Sequence, residues 1–258
     1  MNSPFSDRNY FSSYLLIIIS ACLLLIIVVT DRRDITSAAL VISATILFLT
    51  GIFLFTISKK ELIDDHISAL IPVQNQINIC IIASQLGVKG NSWFIPGDRS
   101  DMSQVTQFIP VSTYRGGMLE GDTFVSGYGG TGIILPPSGE TLLFDLRNRS
   151  NLIIPDSIDE IFVLIKMVGE ELLEISESVH VRKTGEGMLI VMENYLLIDG
   201  CRRVISESPA CCLMNPCPIC SLFGMLITQG LNRAVMLERC RPGKNDARVE
   251  ILFTIESD

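Results

Sequence analysis

The sequence predicts an α+β domain carried behind a pair of membrane-spanning helices, and three observations predict it. Two uncharged apolar runs open the chain; short apolar runs bounded by Gly, Pro, Asp and Ser follow; and stretches of helical spacing are interspersed among those short runs. At 258 residues, with 48% hydrophobic side chains and a mean hydropathy of +0.43, the chain is more apolar than a purely soluble protein. The excess has to be concentrated somewhere.

It lies in residues 11–30 and 35–57, each free of charge and long enough as a helix to cross a hydrocarbon core of about 30 Å. Only Asp31-Arg32-Arg33-Asp34 separates them, too little chain to recross a bilayer, so residues 1–60 are expected to form an antiparallel transmembrane hairpin with both ends on one side. A cleaved signal peptide would have a shorter apolar core and a small-x-small site after it, and neither is present. Ile19-Ser20-Ala21-Cys22 resembles a lipobox, yet the apolar stretch Leu23 to Val29 follows directly, so Cys22 reads as a small lipid-embedded hydrophobe. Arg8, Lys59 and Lys60 flank the ends of the hairpin and Arg32 and Arg33 its loop, a lean toward cytoplasmic termini. The cysteines of the large domain, two of them adjacent as Cys211-Cys212, suit a reducing compartment. The domain is therefore assigned to the cytoplasmic face, with its thiols reduced.

Residues 61–258 hold 25 acidic against 15 basic side chains, a net charge of −10. Phosphate backbones reward clustered Lys and Arg, and no such stripe exists, so nucleic acid is excluded as a partner. Anionic headgroups would repel this surface too. The bilayer contact is expected through residues 11–57 alone.

Residues 61–90 read as a stalk and first domain helix: a charged amphipathic stretch to Leu70, then a pattern opened by Pro72, carried by Ile77, Ile81 and Leu86, and closed by Gly87. Residues 91–258 are the α+β domain. Strands are expected at 93–95, 107–111 and 132–135, between Gly, Asp, Ser and Pro clusters. From Pro155 the period changes, and Ile158, Ile161, Phe162, Ile165, Val168 and Leu172 mark one face of a long helix with Asp156, Asp159 and Glu160 near its start. Residues 178–182 and 188–192 flank Lys183-Thr184-Gly185-Glu186-Gly187 as a β-hairpin. A helix over about 216–230 and strands over 234–239 and 248–255 complete a mixed, mostly antiparallel sheet with packed helices.

Gly127 to Gly132 satisfies G-x-G-x-x-G, but Ile133-Ile134-Leu135-Pro136-Pro137 follows, and two prolines after an extended run do not open a phosphate-binding helix. It reads as a surface turn. His66 and His180, the chain's two histidines, stand near no nucleophile or acid in sequence and read as exposed side chains on a helix and a strand. No catalytic residue is assigned.

The chemistry-bearing segment is Ser208 to Cys220, "SPACCLMNPCPIC". Asn215 and Pro216 suit an N-cap and first helical residue, which places Cys217 in an opening turn where free N–H groups and the helix dipole favour thiolate. Cys-Pro-Ile-Cys resembles the glutaredoxin motif, yet it lies near the end of the chain, where too few elements remain to build that fold. Cys212-x4-Cys217-x2-Cys220 followed by Cys240 has the spacing of plant-type ferredoxin ligands and equally of a four-thiolate zinc site. Zinc or an iron–sulfur cluster is thus one expectation, and reduced, partly buried cysteines without an ion the other.

The hairpin, the helix ending "SQLGVKG", the paired "WFIP" and "QFIPV" strands, "GIILPPSGETLLFDL" and "CPICSLFGMLITQGLNRAVMLE" together resemble an uncharacterised archaeal family of two-span membrane proteins, over nearly the whole chain. That resemblance implies the architecture and no activity. Met188 to Ile255, with "SP", a cysteine before a helix carrying Gly224 and Gly230, and "VMLERC", resembles the C-terminal half of the 4-vinyl-reductase type of small-molecule-binding domain. The resemblance implies a sensor of small hydrophobic ligands and zinc at Cys217 or Cys220, Glu238 and Cys240. The chain departs from that pattern, since one residue separates Glu238 from Cys240 and Ala247 stands where a last cysteine is expected.

Two functions are expected from different classes. The first is a membrane-anchored, non-enzymatic domain that binds a small hydrophobic ligand or a protein partner, with homo-oligomerisation left open. The second is a metal or redox protein using Cys212, Cys217, Cys220 and Cys240.

Overall fold

The structure is a computed structural model and describes residues 4–30, 35–58, 64–97, 105–114, 116–117, 123–127, 129–185, 187–244 and 246–256. The hairpin loop with Arg32 and Arg33, the flanking Lys59 and Lys60, the side chain of Arg8 and residue Glu186 lie outside the described residues. The chain divides into two units, Met1–Asp64 and Asp65–Asp258.

The first unit holds α1 (Pro4–Thr30) and α2 (Ile35–Ser58). They pack against each other in opposite directions: the Tyr14 and Phe55 rings meet edge to face at 5.9 Å, and a Cβ on Gly51 would stand 2.9 Å from Ile17. Outward positions such as Ile18, Leu25, Ile42 and Phe53 are exposed apolar side chains. The hydroxyls of Ser43, Thr45 and Thr50 donate to the carbonyls four residues back at 2.8–2.9 Å, so these three polar groups are satisfied within α2.

Among the described residues three helical segments are long and apolar enough to cross a membrane: Ala38–Phe55, Asp65–Gln85 and Cys211–Leu231. Ser13–Ile26 is apolar but shorter. Length and composition therefore do not by themselves single out the N-terminal pair.

The second unit is an α+β structure on an eight-stranded antiparallel sheet of order β3-β4-β2-β1-β7-β8-β6-β5. The strands are β1 (Trp93–Pro96), β2 (Val105–Pro110), β3 (Phe124–Gly127), β4 (Gly130–Leu135), β5 (Ser178–Thr184), β6 (Gly187–Glu193), β7 (Val235–Pro242) and β8 (Val249–Ile255). Each strand anticipated in the sequence is present. The G-x-G-x-x-G segment is the β3–β4 hairpin, with Gly127 paired to Gly130, and opens no helix.

The helices are α3 (Asp65–Leu70), α4 (Val73–Gln85), α5 (Glu140–Ser150), α6 (Ile158–Met167), α7 (Ile198–Glu207), α8 (Cys211–Met214) and α9 (Pro218–Leu231). The long helix expected from Pro155 is α6 followed by a π-helical turn, Val168–Leu172. Gly169 sits in that turn, where a Cβ would come within 2.8 Å of Val179, so β5 approaches the backbone and the regular helix stops short. Both α5 and α9 end on asparagines in the left-handed region, Asn151 and Asn232, which close helices without glycine.

α9 is the central helix, lying on β1, β2 and β7 with α5 and α6 beside it. Ten consecutive residues, Ile219 to Thr228, are buried, and Cys211–Leu231 as a whole is 83% buried. Burying apolar surface at roughly 25 cal/mol per Å² makes α9 a substantial source of cohesion. The sheet meets it most closely at Gly224, where a Cβ would stand 2.5 Å from the ring of Phe94.

Candidate functional site

α7 is amphipathic, with Ile198, Cys201 and Val204 buried and Arg203 and Glu207 paired across its outer face at 2.8 Å. Its Gly200 lets the helix touch α3, since a Cβ there would meet the Ala69 carbonyl at 2.3 Å. That close approach brings Cys201 inward, toward the start of α9.

There the structure gathers five thiols. Cys201 comes from α7, Cys212 from α8, Cys217 caps α9, Cys220 lies in its first turn and Cys240 comes from β7. Cys217 interacts electrostatically with Cys201 and Cys220, and Cys240 with Cys201, Cys212 and Cys220. Cys212, Cys217, Cys220 and Cys240, the four singled out by spacing, do converge. The sequence reading missed Cys201, although Ile198, Cys201, Val204 and Ile205 carry a helical period that would have placed it beside them.

Cys217, not Asn215, is the N-cap, with Pro218 at the first helical position. Its sulfur accepts from the Cys220 N–H at 3.5 Å. The loop behind it is fixed: Gln76, buried on α4, donates to the Asn215 carbonyl at 2.6 Å, and the Ser138 hydroxyl donates to the Pro216 carbonyl at 2.9 Å. The contacts with Cys201 and Cys220 hold the Cys217 thiol well below its ordinary pKa. Contact with Cys217 in turn pushes Cys201 well above its own. Contacts from Cys201, Cys212 and Cys220 lower the Cys240 thiol in the same way, so negative charge in the group is favoured at Cys217 and Cys240.

A cavity of about 280 Å³ opens beside these sulfurs. Val73, Leu142, Leu173, Ile175, Val204 and Ile219 supply its apolar wall, and Cys201, Cys212 and Cys217 line one side. Tyr195, 2% exposed, lines it too. Burial raises the Tyr195 phenol well above its ordinary pKa, so it stays protonated as a donor. A concave, apolar space with few polar groups is the form that small-molecule sites take.

The remaining candidates fall elsewhere. Glu238 is exposed on β7 and accepts from the Thr254 hydroxyl at 2.5 Å. A register shift between Leu237 and Arg239 turns it away while Cys240 stays inside, so Glu238 is not a member of the thiol group, contrary to the resemblance-based expectation. His66 is exposed and pairs with Asp199 at 2.9 Å; that hydrogen bond holds the Asp199 carboxyl below the usual carboxylate range. His180 is exposed on β5 and meets the Ser178 hydroxyl at 3.0 Å.

One expectation is corrected. The thiols are not all free, because Cys80 on α4 and Cys211 on α8 form a disulfide, their Cα atoms 5.6 Å apart. Packing of α4 against α8 brings the pair within bridging range. As for zinc or a cluster, the donors are soft thiols as such ions require, but among the described residues no three His, Cys, Asp or Glu side chains are set out to hold a metal ion.

Protein-family models, curated proteins and solved structures contain no match to this chain.

Proposed function

We propose that the protein is a membrane-anchored, non-enzymatic module whose Asp65–Asp258 unit holds one small hydrophobic ligand in the thiol-lined cavity. The observation that carries this reading is the cavity itself: about 280 Å³, walled by aliphatic side chains, and bordered by polar groups at only a few points. The resemblance of Met188 to Ile255 to small-molecule-binding domains points the same way. A titration of the full chain in lipid nanodiscs with hexafluorobenzene, followed by ¹⁹F NMR, tests it. The expected result is a bound resonance, distinct from the lipid-partitioned one, that saturates at one per chain. Only the lipid resonance at every concentration contradicts it.

In this reading α1 and α2 are the anchor, an antiparallel transmembrane pair with both ends on the cytoplasmic side. Support comes from the outward apolar side chains of both helices and from the burial of Cys211–Leu231, which makes that segment a core helix. The same face suits five clustered, unpaired cysteines, with Cys80–Cys211 as the one oxidised pair of the described cysteines. Protease added outside intact cells is expected to leave residues 65–258 whole. Cleavage within them would reverse the orientation.

A further inference from the structure

The cavity holds two chemically distinct features that a purely apolar ligand leaves unused. One is the Cys217 sulfur, half-buried, at the α9 N-terminus and accepting a hydrogen bond from the Cys220 backbone N–H. The other is the Tyr195 hydroxyl. Tyr195 is 2% exposed and lines the cavity, and its backbone N–H donates to the Ala247 carbonyl at 2.7 Å. Its hydroxyl, however, makes no hydrogen bond among the described residues.

From this placement we infer that the site takes an apolar α,β-unsaturated carbonyl compound, captured covalently by Cys217 with its carbonyl oxygen on the Tyr195 hydroxyl. This inference rests on the cavity being a ligand site. It goes beyond that reading by naming the ligand class and the bond.

The step balances without oxidant or reductant. The Cys217 sulfur forms a bond to the β-carbon, the C=C π bond breaks, and its electron pair moves through the α-carbon onto the carbonyl oxygen. There the Tyr195 hydroxyl donates to the developing enolate, as oxyanion-stabilising donors do. The α-carbon then takes a proton from the Cys201 S–H, and Cys201 is reprotonated from solvent, which took up the proton that Cys217 released in becoming thiolate. The net change is addition of S–H across C=C, leaving a thioether. An apolar wall draws in the hydrocarbon end of such a molecule, and the Tyr195 hydroxyl fixes the end that reacts.

The test treats the full chain in nanodiscs with 4-phenylbut-3-en-2-one, follows the intact mass, and maps the adduct by peptide. Cys22 on α1, which faces lipid in this reading, serves as internal reference for enone that partitions into the bilayer. The expected result is one adduct, on Cys217, formed at least ten-fold faster than on Cys22. Tyr195→Phe, which keeps the ring and removes the donor, is expected to slow Cys217 about ten-fold and leave Cys22 unchanged. No adduct, an adduct spread over several thiols at similar rates, or an unchanged Cys217 rate in Tyr195→Phe overturns the inference. The saturated 4-phenylbutan-2-one separates the two claims: if it competes with hexafluorobenzene while the enone forms no adduct, the cavity binds ligand and covalent capture is wrong.

Discussion

Gly224→Val is expected to destabilise the large unit by about 3 kcal/mol or more, at the upper end of overpacking costs. The first added atom already stands 2.5 Å from both Cδ2 and Cε2 of Phe94. Phe94 has no room to retreat: it is fully buried, its ring packs edge to face on Phe253 at 6.4 Å, and its carbonyl accepts from the Thr228 hydroxyl of α9 at 3.3 Å. The two further methyls of valine enter the same contact. Either α9 lifts from β1 or the Phe94 ring leaves its rotamer, and both open the core. Denaturant unfolding of the full chain measures the loss, with Ile153→Ala at an 84% exposed position as a near-neutral control. A shift no larger than the control's would mean that α9 does not sit on the sheet as described.

Val204→Phe enlarges a buried side chain just as Gly224→Val does, yet here the opposite balance is expected. Val204 lies on α7 within one turn of Cys201, is 2% exposed and packs in the core, but one side of it borders the cavity. The added ring moves into open space, so stability should change by less than about 1.5 kcal/mol, the range of tolerated apolar swaps. Hexafluorobenzene loses that space. Its affinity is expected to fall at least ten-fold, which is about 1.4 kcal/mol of binding free energy. A variant that folds and binds as the parent does would place the ligand elsewhere.

How much of this was legible in the sequence depended on the reach of each signal. Strong local periods were readable: both apolar runs, the α6 face and the β5–β6 hairpin appear where pattern and turn residues put them. Elements whose stability comes from tertiary contact were not. α5 follows two prolines, α7 carries Gly200 in its first turn against the propensity scale, and β3 leaves Phe124 exposed. Gly200 is tolerated because α3 lies against it, and Gly224 because the Phe94 ring fills its place, both facts of packing rather than of sequence.

The candidate site shows the same division. Chain spacing pointed to Cys212, Cys217, Cys220 and Cys240 because three of them share one segment. Cys201 and Tyr195 lie outside it and reach the group through α7 and the loop before it. The disulfide spans 131 residues of sequence, a separation over which spacing carries no information. Glu238 was misplaced for a local reason that sequence hides, because a one-residue bulge inverts the alternation that would have put it beside Cys240.

The central claim is that the cavity and the Cys217 sulfur form one site, and a protection experiment measures it. The full chain in nanodiscs is alkylated with N-ethylmaleimide with and without saturating hexafluorobenzene, and the rates at Cys217 and Cys22 are read by peptide mass. Occupancy is predicted to slow Cys217 at least ten-fold and to leave Cys22 untouched. Equal Cys217 rates with and without the probe would contradict the claim, as would uniform resistance of Cys201, Cys212, Cys217, Cys220 and Cys240 whether or not it is present, the behaviour of thiolates held by a metal ion.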